Sequence, residues 1–563
     1  MSRIRRFALW AASALALTAS PAFSQDSTHH DHLAPLLTLA DWARGAQLFE
    51  GLGTFHRSVS TNSPEAQRYF DQGMRFIWAF NHDEATRSFA KATQIDPNCA
   101  LCYWGVALTL GPNYNMPMMA EARARVGWEA LGKARAKGVK STPVERALIS
   151  ALAARFAGPA PLDPANSAPR LTAYVAAMRA VAKRFPRDND VQTLFAEALM
   201  NTNPWKLWNA DGSPGPGTPE IVATLKKVLA ADPSHPGANH YLIHAVEASK
   251  NPEVALPSAE ALKAMMPGAG HLVHMPSHIM QRVGRYEEAA QANRLGAAAD
   301  LAYLKKTAPP DYYPMYLVHN YQFLAFAAAM EGRSAEAISA TRSARLAMPD
   351  SMLQAMQGLD WSIGYVYDAL IRFGQWDEML REVAPDPRLA GLTISFHQAR
   401  ATALAATGRT IEAERELATS QALISSVAAD AAQGMNTAQS VYEIGQRRAA
   451  ARLAAAKGNF NAAIPLLQQA SVLEDKLAYN EPEDVFFPAR HLLGAMLLDA
   501  GRAIEAEAVF REDLKRHPKN GWALTGLKAA LTAQGREKEV GSVNLQLHDA
   551  WANADREIVR AAF

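Results

Sequence analysis

His240 with His244, and His274 with His278, each set two imidazoles four residues apart. On an α-helix, residues i and i+4 share a face. Two such pairs on neighbouring helices would bring four rings towards one point. Neutral imidazole is the commonest protein ligand for metals, and a histidine-dominated set suits copper, zinc or iron. His271, His319 and Glu247 lie close enough in sequence to join the group. The oxidative version, with copper or iron, has His240, His244, His274 and His278 bind the metal. His271 and His319 then complete a second centre, and Glu247 is a bridging ligand or general base. In the hydrolytic version zinc lowers the pKa of a bound water and Glu247 takes its proton. Without a metal, the same histidines would serve a peptide-binding groove or a structural hydrogen-bond network. The chain has no phosphate-binding glycine loop, nucleophile elbow or HExxH.

The elements that must position these residues are helices. Alanine-rich composition and 49% hydrophobic residues, with few β-branched runs, favour them. From Ala66 to Cys99 small and aromatic residues recur with a definite spacing. Counting Ala66 as position 1, Tyr69 stands at 4, Gly73 at 8, Ala85 at 20, Phe89 at 24, Ala92 at 27 and Pro97 at 32. Turn signals of the same kind recur at Gly284-Arg285, Gly332-Arg333, Gly408-Arg409, Gly458-Asn459, Gly501-Arg502 and Gly535-Arg536. Glycine there ends one helix in a left-handed conformation. The pattern resembles the tetratricopeptide repeat, a helix-turn-helix of about 34 residues. The resemblance implies an all-α, right-handed superhelical solenoid whose positions 2, 5, 9 and 12 line a concave groove. His240, His244 and Glu247 take positions 5, 9 and 12 of a unit starting near Pro236. His271, His274 and His278 take 2, 5 and 9 of the next, and His319 takes 2 of a unit near Val318. Pro276 should break or kink the helix between His274 and His278.

Four regions are expected. Residues 1–24 read as a signal peptide, with Arg3, Arg5 and Arg6 ahead of an apolar run and a cleavage site at Ala22-Phe23-Ser24. Residues 25–60 form an N-terminal tail. Residues 61–305 form an array with the histidine-rich groove, interrupted at 111–138 and by a Pro/Gly-rich insertion at 203–219. Residues 306–563 form a second array. Export implies a periplasmic or secreted protein with no transmembrane segment in its mature part. Without Arg3, Arg5 and Arg6 the chain carries 54 basic against 55 acidic residues, which gives no reason to expect nucleic acid. Cys99 and Cys102 read as a local disulfide or two buried thiols, the alternative being a redox or soft-metal site.

Tyr241, Tyr312, Tyr313, Tyr316, Tyr321, Trp205 and Trp208 are candidates for an aromatic wall beside the histidines, or else repeat core. Asn239 and Asn320 are candidates to orient the ligands. His82 is expected to cap a turn, and His56 could fold back into the groove. His29, His30 and His32 belong to the tail, and His235, His397, His491, His517 and His548 look peripheral to the cluster. Two functional classes follow. One is an exported metal-dependent oxidoreductase acting on a small molecule in the groove. The other is a non-enzymatic scaffold binding peptides or an envelope protein.

Overall fold

The computed structural model describes residues 36–162, 164–307, 309, 313–355 and 359–563. The stretch expected to be a leader (1–24), the histidines at 29, 30 and 32 and Tyr312 lie outside them. The expectation of an all-α chain built from helical hairpins holds within this range. The strands among the described residues are two residues each, Ala432–Gln433 paired antiparallel with Asn436–Thr437. No helix among the described residues is long and apolar enough to cross a membrane. The chain divides into two compact units, one running to Ile279 and resuming over Leu295–Leu317, the other made of Met280–Arg294 and Val318–Phe563.

In the first unit, helix α1 (Pro64–Trp78) and helix α2 (His82–Ile95) form the hairpin read from positions 1 to 32. Ser63 caps α1 by accepting the Ala66 N–H at 3.2 Å, and Pro64 opens the first turn, where its missing N–H costs nothing. Asn81, and not His82, caps α2, accepting the Glu84 N–H at 3.2 Å. An amide oxygen beside the backbone makes a better acceptor there than an imidazole one residue later. The small residue at position 8 turns out to serve an aromatic ring. A side chain at Gly73 would collide with Phe89, as would one at Gly105 on helix α3 (Ala100–Thr109). Phe89 is thereby clamped between successive helices and fully buried. Cys99 caps α3 and is disulfide-bonded to Cys102. No free thiol remains among the described residues, which closes the soft-metal reading of that pair.

After helix α4 (Asn189–Met200), the Pro/Gly-rich stretch leaves the helical path as expected. It is tied by a bridge between Trp208 and Pro214 before helix α5 (Thr218–Ala231) resumes. Helix α6 (Pro236–Val246) follows, then the broken pair α7 (Gly270–His274) and α8 (Pro276–Arg282). Pro276 has the effect expected of it: it starts a new helix one residue after Met275, and α7 stays a single turn.

The second unit repeats the hairpin in series: α9 (Ala390–Ala406) with α10 (Thr410–Ser426), α11 (Ala438–Ala456) with α12 (Phe460–Glu474), α13 (Ala489–Asp499) with α14 (Ala503–Arg516), and α15 (Gly521–Ala533) with α16 (Glu537–Ala550). Phe510 reproduces the clamp of Phe89, with Gly494 and Gly526 against its ring. His517 and His491, which the sequence leaves peripheral, are buried in an ionic network. His517 meets Glu483 at 3.0 Å and Asp513 at 3.1 Å, and His491 meets the other Asp513 oxygen at 2.8 Å. The network escapes sequence reading because Glu483 comes from a loop 34 residues away.

Burial alone would push His517 down, but Glu483 and Asp513 lift it to about 10. A folded-state pKa above the unfolded one stabilises fully below about 6.5, and that contribution is lost as pH rises towards 10. Urea midpoints measured at pH 6, 8 and 10 should therefore fall across the series, and the fall should flatten in His517→Asn.

Candidate metal centre

Helix α6 is held in place by its own cap. The His235 ring accepts the Ala238 N–H at 3.1 Å through Nδ1, while its Nε2 meets Asp190 at 3.0 Å. Asn239 does not orient the cluster. Its amide donates to the carbonyls of Pro233 and His235 at 2.9 and 3.1 Å, which secures the helix start instead. From this anchored helix His240 and His244 project from one face, their rings 4.9 Å apart. Helices α7 and α8 supply the other three rings of the first unit. Centroid separations run 5.0 Å from His240 to His271, 5.8 Å on to His274, 4.6 Å to His278 and 5.5 Å back to His244. Five imidazoles thus close a circuit, despite the break at Pro276.

Hydrogen bonds decide which nitrogens are available. His240 Nδ1 lies 2.6 Å from the Trp78 carbonyl oxygen, so it carries the proton and Nε2 holds the lone pair. His244 Nδ1 meets Glu247 Oε1 at 2.7 Å, again leaving Nε2 as the lone-pair nitrogen. Both Nε2 atoms, and both ring nitrogens of His271, are buried with no hydrogen-bond partner. Each such orphan costs about 1–3 kcal/mol. The three histidines offer nitrogens within 4.8 Å of one another. A tetrahedral ion bound at about 2.0–2.1 Å holds its ligand nitrogens roughly 3.4 Å apart, so the three rings would draw together to share one.

The other Glu247 oxygen meets Nδ1 of His278, and His278 Nε2 faces His274 Nε2 at 2.6 Å. Glu247 thus receives one imidazole from α6 and one from α8, the outer-shell arrangement that fixes tautomer and ring orientation in metal sites. In that engagement Glu247 positions both rings, beside the bridging-ligand or general-base role that the sequence suggested for it. Burial would raise the Glu247 pKa, but His278 and His244 override it and hold the carboxyl well below its usual range. Burial, reinforced by neighbouring imidazoles, keeps His240 and His271 far below the ordinary histidine value, so both are neutral ligand-competent rings.

These positions do not line an open groove. His240 and His274 are 0% exposed, His278 1%, and His244, Glu247 and His271 3%. Aromatic rings pack directly against them. Phe80 lies 4.4 Å from His240 and stacks on His244 and His271, Tyr114 faces His244 at 5.5 Å, and Tyr316 covers His271 at 4.5 Å. Of the expected wall, Trp205 packs on Tyr114 and Tyr313 on Tyr316. Tyr241 stacks on Phe80, and Trp208 Nε1–H donates to the Ala245 carbonyl at 2.8 Å. Phe80 and Tyr114 were not legible as site residues, since each sits in a turn or irregular stretch far away in sequence.

His319 belongs to the second unit, where its ring packs on Phe323 at 4.8 Å. Asn320 and Tyr321 belong to the same unit. His56 bonds Asp71 at 2.8 Å and stays half exposed, away from the circuit.

No protein-family profile and no curated protein matches this sequence. Among solved structures the chain is similar to the human IFIT1 dimer with m7Gppp-AAAA, at 11% identity over 94% of this chain and 96% of that one, with a TM-score of 0.29. Yeast Tom70 matches at 11% identity over 85% and 90%, TM-score 0.29. The APC/C hetero-tetramer Cut9-Hcn1 matches at 14% over 93% and 83%, TM-score 0.31. Overlaps this loose carry nothing about the chemistry of the present chain.

Replacing Glu247 by alanine leaves two buried Nδ1–H groups without an acceptor, at about 1–3 kcal/mol each. The urea midpoint of Glu247→Ala should drop accordingly. Glu247→Gln, which keeps one acceptor, should recover part of the loss.

Proposed function

We propose that this chain is a helical-repeat scaffold carrying a buried transition-metal ion on His240, His244 and His271. The observation that supports this reading is the convergence of three buried imidazoles that each keep at least one ring nitrogen without a protein partner. Evolving one buried unsatisfied nitrogen is costly, and assembling several at one point is explained by an ion that satisfies them together. Three nitrogen ligands without a thiolate suit copper or zinc. The facial set preferred by non-haem iron needs a coordinating carboxylate, and Glu247 is already committed to two Nδ1–H donors.

Two uses of the ion follow. As a structural element it would lock α6 and α7 so that the hairpin array presents a fixed surface to a peptide or an envelope protein, a use that the repeats themselves favour. As a redox centre, copper would make the protein an oxidoreductase, which requires that a small substrate or dioxygen reach the closed site. Export belongs to the same proposal. It is supported by the basic, then apolar, N-terminal pattern and by the Cys99–Cys102 disulfide, which persists in oxidising compartments.

Metal analysis of protein purified without an affinity tag, joined to electron paramagnetic resonance, tests the reading. One copper or zinc per three-histidine centre is expected, lost in His244→Ala and in His271→Ala. Adding the ion to stripped protein at 100 times its Kd should stabilise the fold by about 2.7 kcal/mol. A protein that retains no metal and gains no thermal stability from copper or zinc would falsify it. Oxygen consumption by the copper form with a reductant then separates the redox use from the structural one.

A further inference from the structure

The turn between α1 and α2 departs from its counterparts in one respect. At Gly284, Gly332, Gly408, Gly458, Gly501 and Gly535 the residue ending the first helix of a hairpin is glycine, with φ between 70° and 79°. In each case the next residue's N–H bonds the carbonyl five residues back at 2.8–3.0 Å, the closing bond of a Schellman motif. The α1–α2 turn has the same closing bond, Asn81 N–H to Phe76 O at 3.0 Å, but the residue at the left-handed position is Phe80, with φ 54°. A bulky L-residue there is strained, where glycine would not be. The cost is retained at the one hairpin turn whose side chain reaches the histidines.

Trp205 adds an independent observation. Among the described residues the non-glycine residues with positive φ are Phe80, Trp205 and Lys519. Two of these three lie in the aromatic shell, Phe80 against His240, His244 and His271, and Trp205 against Tyr114, which itself faces His244. Backbone strain concentrates where the surroundings over-determine a conformation for a purpose. Packing alone does not require it, since glycine serves the same turn elsewhere in the chain.

We infer that Phe80 is a strained aromatic cap that closes the three-histidine centre and controls which molecules reach its nitrogens. The inference rests on the metal reading for its function, but the cap itself can be measured without metal. With the ring in place, access is limited to species small enough to pass between packed aromatic side chains. An apolar shell of this kind also governs solvent access and the dielectric around a bound ion. Phe80 is a positioning residue here, acting by exclusion and not by ligation.

The experiment compares wild type with Phe80→Gly, which removes ring and strain together, and Phe80→Ala, which removes the ring but keeps the left-handed backbone strained. In stripped protein, carbethoxylation of His240, His244 and His271 by diethyl pyrocarbonate is followed by mass spectrometry. Both variants should react faster than wild type by roughly tenfold or more. In copper-loaded protein, both should lose the ion faster to a chelator, and azide should perturb their paramagnetic resonance spectra while leaving that of wild type unchanged. Phe80→Gly should melt above Phe80→Ala, since only the glycine relieves the turn. Equal carbethoxylation rates in wild type and the two variants would overturn the cap. A wild type that binds no copper while its variants open to the reagent would sink the metal reading and leave the cap standing.

Discussion

Desolvation of imidazole is the constraint on which the first unit turns. A histidine in water satisfies both ring nitrogens at no cost, whereas one withdrawn from solvent must find a partner for each or bear the loss. The five histidines of the circuit are almost wholly withdrawn, and the protein supplies partners to only some of their nitrogens. Trp78 offers one carbonyl, and Glu247 offers an oxygen apiece to His244 and His278. The Nε2 atoms of His240 and His244 and both ring nitrogens of His271 are left over. The same carboxylate that settles the tautomers also ties α6 to α8, so the arrangement of lone pairs and the packing of the helices are one problem with one solution.

One network in the second unit shows how the same architecture behaves when its buried imidazoles are paired with carboxylates. Asp513 there takes His491, His517 and the amide of Asn520, and Glu483 takes the remaining nitrogen of His517. That network contains charges of both signs in contact. Each donor meets an acceptor, which is what a structural role for buried histidine looks like. The contrast within a single chain gives the unpaired nitrogens of the first unit their meaning. The hairpin scaffold tolerates buried histidines without leaving them orphaned.

Local signals carried much of the architecture. Glycine at the turns, small residues at fixed intervals and proline at helix ends act over a few residues, so the hairpins at Ala66–Cys99 and through the second unit were readable directly. Helical periodicity placed His240 beside His244, and equivalent repeat positions placed His271, His274 and His278 nearby. Pro276 was readable as a break for the same reason, because its effect is on its own backbone.

Other features depend on partners distant along the chain. That the histidines are sealed and not lining an open groove follows from Phe80, Tyr114 and Tyr316, which approach from elements as far away as Phe80 is from His271, about 190 residues. The role of Glu247 was legible as proximity but not as function, since which carboxylate oxygen meets which nitrogen depends on how α6 and α8 cross. His517 was passed over because Glu483 reaches it only through a folded loop. Sequence by itself determined the helical hairpins, the residue types at the centre and their spacing along each helix, all of which are set by short-range backbone geometry. Only tertiary structure decided which nitrogens remain unpartnered, how deeply they are buried and that an aromatic ring closes over them, because burial and hydrogen-bond pairing are properties of contacts between segments.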